Sequence, residues 1–292
     1  MEGGNLRYQF ARLSIAEKLV VVNVAAFLVL RLLVFLMQWP GGGPEAWLVL
    51  PKDFGTFLTR PWTLVTYSFL HGGLWHLLGN MLGIYYVGRI FLNYFGPRRF
   101  TNVYFLGVIT GGLFFLTAYN LFPAFYGSQS VLLGASAGLL AILVYVCTFA
   151  PNQEVRVFFF NLKLWYIGAF FVLMDLALIP LGDNPGGRLA HLGGALLGYL
   201  YASRARQGGD LGAGFSKLLD GVANLFKKRV KKAPMKTVYR RTPGGATSGV
   251  DYEKETRQRK IDGILDKISK SGYESLTQAE KDFLFKAGKD NG

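Results

Sequence analysis

The chain has 292 residues, 51% of them hydrophobic, yet carries a formal net charge of +14. Soluble domains seldom combine so apolar a composition with so much charge. The charge is also segregated: basic residues are few up to Ser203 and crowd together from Arg204 onward, as in a membrane body with a basic tail. Such a tail suits anionic lipid better than nucleic acid, and the single cysteine, Cys147, excludes an internal disulfide.

The N-terminus does not read as a cleaved signal, because Glu2 and Glu17 interrupt the positive flank and no small-x-small site closes the apolar run. "SIAE", Ser14 to Glu17, reads as a capping box opening a helix. Hydropathy then predicts six membrane-spanning helices near 18–38, 73–95, 100–121, 134–150, 158–180 and 188–203. Long apolar runs without alternation exclude a barrel. Arg7, Arg12 and Lys18 precede span one; Arg89, Arg98 and Arg99 follow span two; Arg156 and Lys163 follow span four; Arg204 and Arg206 follow span six. The alternate loops hold only Lys52, Arg60 and Arg188. The positive-inside rule therefore puts both termini in the cytoplasm and the starts of spans two, four and six on the outer side.

The expected organisation is a cytoplasmic N-terminus (1–17), a six-helix membrane domain (18–203), a basic amphipathic segment and linker (204–253) and a small helical pair (254–292). Within the third part, Phe215, Leu218, Leu219, Val222, Leu225 and Phe226 recur at helical spacing, followed by Lys227, Lys228, Arg229, Lys231 and Lys232. That pattern suits a helix lying on the cytoplasmic leaflet, or else a solvated basic tail. In the fourth part, Ser271 and Gly272 break one helix and "TQAE" opens the next.

All three histidines fall in or beside spans, where ionisable groups are costly and point to function. His71, His76 and Asn80 lie at the outer start of span two, Ser136 opens span four, and His191 is near the outer start of span six. Ser136 sits among Gly134, Ala135, Ala137 and Gly138, while Gly193, Gly194 and Gly198 follow His191; small residues let helix backbones approach closely. A serine becomes a nucleophile when a base takes its proton, and histidine suits that work near neutral pH. His76 and Asn80, four apart, share a helix face from which they can donate to an oxyanion, aided by a backbone N–H at the start of span four. Taken alone, Ser136 reads as a packing residue and each histidine as a partner for a carbonyl; their combination at one depth shifts the balance.

The motifs "HGGLWHLLGN", "GASAG" and "AHLGGALLG" resemble, in order, the H-x4-H-x3-N, G-x-S-G and A-H-x2-G-x3-G signatures of the rhomboid family of intramembrane serine proteases. The resemblance, to a member of bacterial type, covers about residues 60 to 203. It implies an all-α polytopic membrane protein, a six-helix rhomboid-like bundle with a cytoplasmic C-terminal tail. It also implies a Ser136–His191 dyad without an aspartate and an oxyanion site from His76, Asn80 and the Ser136 backbone. His71, Gly134 and Gly194 take structural roles near the site. Ser136 Oγ is then expected within hydrogen-bonding reach of a His191 ring nitrogen, about 2.6–3.2 Å, a contact that substrate can tighten.

The implied reaction is peptide-bond hydrolysis in transmembrane or juxtamembrane segments of other membrane proteins, without cofactor or metal, in a bacterial plasma or inner membrane. The implied partners are such substrates and membrane lipids, with no nucleic acid. The sequence departs from the family pattern at Ala137 (usually glycine), Leu140 (often aromatic) and Thr63 after Trp62 (often arginine). Asp175, in span five, is expected to make a capping or interhelical hydrogen bond rather than complete a triad. A zinc site from His71, His76 and His191 ranks below the dyad, since neither HExxH nor a neighbouring carboxylate ligand supports it. A catalytically silent, client-binding relative is the alternative function, though such relatives commonly lack the serine or histidine present here. A transporter would need polar groups along a path open to both sides.

Overall fold

The computed structural model describes residues 6–157, 159–181, 184–226 and 249–289. They form two compact units, Met1–Lys227 and Lys228–Gly292. Lys227 to Lys232 and most of the expected linker lie outside the described residues.

The first unit opens with α1 (Leu6–Arg12) and α2 (Ile15–Met37). The Ser14 hydroxyl accepts from the Glu17 N–H at 3.2 Å, and the Glu17 carboxylate accepts from the Ser14 N–H at 2.7 Å, so the expected capping box sets where α2 begins. Next come β1 (Leu50–Pro51), α3 (Phe54–Thr59), α4 (Thr63–Thr66), α5 (Leu74–Tyr94) and α6 (Pro97–Leu121). They are followed by β2 (Val131–Leu132), α7 (Ser136–Phe149), β3 (Glu154–Val157), β4 (Phe160–Lys163), α8 (Leu164–Leu178), α9 (Pro185–Arg206) and α10 (Ala213–Phe226). β1 pairs antiparallel with β2, and β3 with β4.

Helices α2, α5, α6, α7, α8 and α9 occupy the six segments expected from hydropathy. Among the described residues, α2 and α6 are long and apolar enough to cross a membrane, whereas α7 and α8 are shorter apolar helices. α5 carries His76, Asn80 and Arg89, and α9 carries Arg188, His191, Arg204 and Arg206, which lowers their mean hydropathy. The all-α expectation is corrected by the two small sheets, and the fifth segment becomes helical only at Leu164, not at 158. The hydrophobic run there starts as a hairpin, in which the β-branched and aromatic residues of "EVRV" and "FNLK" fit strand better than helix.

The core sits around α7, which is apolar on every side and buries most of its length from Ala137 to Cys147. Three stripes of small residues, each with a four-residue step, meet there. Gly107 and Gly111 of α6 face the methyls of Ala141 and Ala137, and Gly194 and Gly198 of α9 lie against the carbonyls of Ala137 and Ala141. Side chains at these glycines would collide with α7, so small residues fix how closely the helices approach. α10 joins this unit through its polar side: Asn102 Nδ2 of α6 donates to Ser216 Oγ at 2.8 Å and to Gly212 O at 3.2 Å. Arg98 pairs with Asp220, and Tyr201 donates to Asp210. Leu218, Leu219, Val222 and Leu225 point outward.

The second unit contains α11 (Gly249–Ser271) and α12 (Gln278–Lys289). Gly272, at φ 78°, ends the first helix. The expected capping box opens the second: the Thr277 N–H donates to Glu280 Oε2 at 2.7 Å, and the Glu280 N–H to Thr277 Oγ1 at 3.4 Å.

Candidate active site

Ser136 is the first residue of α7, so its backbone N–H is among those without an intrahelical acceptor. The chain reaches it from β2, pinned to β1, and through Gly134, whose N–H donates to Tyr67 O at 3.0 Å. Gly134 has φ +125°, a conformation side chains resist. A Cβ there would also lie 2.8 Å from His76 Cε1 and Nε2 and 3.6 Å from Ser136 Oγ. Glycine is thus required both by the turn and by the imidazole packed on it.

His76 and Asn80 stand one turn apart on α5. The Gly72 N–H donates to His76 Nδ1 at 3.4 Å, which assigns the ring proton to Nε2, the nitrogen beside Gly134. Asn80 Nδ2 donates to His76 O at 3.1 Å, leaving its second amide proton for another acceptor. His71 is buried and meets the His76 ring edge-on, with centroids 5.2 Å apart. The loop carrying His71 is braced by Arg31 of α2, whose Nη2 donates to His71 O at 3.1 Å and Gly72 O at 3.2 Å, with Glu45 3.7 Å from its Nε.

His191 lies on α9, brought beside Ser136 by the close approach of Gly194 to Ala137. The structure brings Ser136, His191, His76 and Asn80 onto one cavity of about 410 Å³, reached from α5, α7 and α9 and walled by Trp75, Leu139, Leu140, Phe171 and Met174. Ser136 and His191 make no direct hydrogen bond among the described residues. The expected hydrogen bond between them is thus not formed in this structure; serine–histidine pairs of this kind commonly tighten when substrate docks. Ala137 does not crowd the cavity, since its methyl faces Gly111 of α6.

The expectation that Asp175 bonds elsewhere rather than joining His191, and so that the serine–histidine pair stands without an aspartate, is corrected by the structure. The interhelical bond of Asp175 runs to His191 itself: Nδ1 and Asp175 Oδ2 are 3.0 Å apart, and Arg188 Nη1 lies 3.3 Å from Oδ1. A carboxylate within an apolar helix needs a partner, and Arg188 and His191, three apart on α9, share the face that supplies one.

These features define a helical protein of a membrane family, with a serine, a histidine and polar donors gathered on one cavity. The rhomboid domain family matches residues 58–207, and the chain belongs to the rhomboid family. Residues 250–286 match a family of unknown function. The chain is 29% identical over 157 residues to the RHOMBOID-like protein 12, mitochondrial, of Arabidopsis thaliana, covering 50% of this chain and 47% of the relative. It is 29% identical over 211 residues to the Rhomboid-like protein 16, chloroplastic, of the same plant, covering 65% and 62%. To the human presenilin-associated rhomboid-like protein, mitochondrial, it is 30% identical over 150 residues, covering 50% and 38%. The chain thus spans less than two thirds of these relatives' lengths. Their mitochondrial and chloroplastic names lend no support to a bacterial type or a bacterial membrane.

Proposed function

We propose that this protein is an intramembrane serine endopeptidase with Ser136 as nucleophile and His191 as general base. The observation that carries this reading is the convergence of Ser136, His191, His76 and Asn80 on one cavity from three helices. Ser136 Oγ attacks the scissile carbonyl while His191 takes its proton, and the resulting oxyanion accepts from His76 Nε2–H, the free Asn80 amide proton and the Ser136 backbone N–H. Collapse passes the proton from His191 to the leaving amine. A water then releases the acyl group from Ser136, again with His191 as base.

The apolar wall around this polar floor suits an unwound segment of a transmembrane protein. The six helices α2, α5, α6, α7, α8 and α9 cross the membrane with both termini in the cytoplasm and the cavity toward the outer side, as the distribution of Arg and Lys supports. The outward apolar side of α10 supports its lying on the cytoplasmic lipid surface.

The test is cleavage of a transmembrane reporter segment in proteoliposomes. Wild type should release product, while Ser136→Ala and His191→Ala insert normally and release none. Undiminished cleavage by Ser136→Ala would overturn the assignment.

A further inference from the structure

We propose that Asp175 is a positioning residue for His191, fixing the tautomer and orientation of the imidazole that serves Ser136; this rests on the reading of Ser136 and His191 given above. α8 is otherwise weakly embedded: its buried residues are Leu164, Gly168 and Asp175, and only Asp175 lies in its second half. The Asp175 side chain is 3% exposed, whereas Leu173 and Leu176 beside it point outward. A buried carboxylate must be neutralised and hydrogen-bonded, and both requirements are met from α9. Arg188 supplies the charge at Oδ1, and His191 Nδ1 occupies Oδ2 at 3.0 Å.

The chemistry follows from the donor inventory. An ionised carboxylate only accepts, so the proton between Asp175 and His191 belongs to Nδ1, and Nε2 keeps the lone pair that can take the serine proton. Arg188, 3.3 Å from Oδ1, pairs with the carboxylate and holds it in place, and the imidazolium formed during reaction is stabilised by its contact with Oδ2. His76, the other titratable group lining the cavity, faces this pair from α5 and is held by Gly72. Leu140, also on the cavity wall, has no ring to stack on the imidazole, so the hydrogen bond to Asp175 is what orients it.

The experiment uses the full chain in detergent and two readouts. The first is ¹⁵N NMR of the histidines at neutral pH, with His191 assigned by the signal lost in His191→Ala. Wild type should show the Nδ1–H tautomer. Asp175→Asn, whose amide can donate to Nδ1, should shift His191 toward Nε2–H, while Arg188→Gln should leave the tautomer as it is. The second is the rate at which a fluorophosphonate labels Ser136, which should fall by about 10²- to 10⁴-fold in Asp175→Asn.

A role confined to tying α8 to α9 predicts equal effects of Asp175→Asn and Arg188→Gln and an unchanged tautomer, and that result overturns the proposal. So does an Nε2–H tautomer in wild type, a reading that needs no variant to fold. If wild type takes no label, the hydrolase reading falls, while the tautomer still decides whether Asp175 sets the ring.

Discussion

Gly134 couples two demands at one residue, a positive φ and the His76 ring against its Cα. Gly134→Ala is therefore expected to push the imidazole away from Ser136 and reduce fluorophosphonate labelling sharply, with a lower Tm. A labelling rate within about threefold of wild type would show that the ring tolerates the displacement. If Asn80 is the oxyanion donor proposed above, Asn80→Ala is expected to lower kcat by about 10²–10³ and leave KM nearly unchanged. A change confined to KM would place Asn80 in ground-state binding. Small residues and helical intervals single out Ser136, His76, Asn80 and His191 in the sequence, and all four line one cavity. The pairing of Asp175 with His191 runs against the resemblance, which implies a dyad without an aspartate; whether two helices turn these side chains toward each other depends on rotation about each axis, which a local pattern does not record.

At the scale of the element, glycine and alanine stripes set how α6, α7 and α9 meet. A Cβ at Gly107 would strike the Ala141 methyl, with the next atom, Ala137 O, at 3.4 Å. Gly107→Ala should thus destabilise by about 1–3 kcal/mol through overpacking. Ala141→Gly should cost about 1 kcal/mol in helix propensity. In the double variant the clash disappears, so a coupling of about 0.5–3 kcal/mol is expected from a reversible unfolding cycle in detergent. Strict additivity would mean that the two residues do not touch. The helix positions themselves were readable from apolar runs and caps, and Ser14–Glu17 and Thr277–Glu280 formed the boxes their spacing implies. The start of the fifth segment was not, because "VFFFNLK" is as apolar as a helix. Its hairpin depends on the pairing of Glu154–Val157 with Phe160–Lys163.

For the whole molecule, the chain divides after Lys227, and every residue of the proposed active site lies in the first unit. A chain ending after Lys227 should label at the full rate. Ending after Arg206 removes Gly212 and Ser216 from buried Asn102 and Asp210 from Tyr201, so the Tm should drop, each buried polar group left unpaired costing about 1–3 kcal/mol. Equal Tm values would deny α10 that role. In the second unit, Lys267 and the Thr277 N–H hold the Glu280 carboxyl down at about 2, against the usual 4.5. A depressed pKa gives stability that is present above about pH 4.5 and is lost as pH falls toward 2. Protection of the α12 amides, measured relative to the intrinsic exchange rate at each pH, should therefore fall across that window, and Glu280→Gln should flatten the response.

The central claim is that Ser136 is a nucleophile activated by His191. Its most direct test is peptide mapping of the full chain after fluorophosphonate treatment in detergent. The account predicts one adduct, on Ser136, absent in His191→Ala; an adduct on another residue, or an unmodified Ser136 in folded wild-type protein, would contradict it.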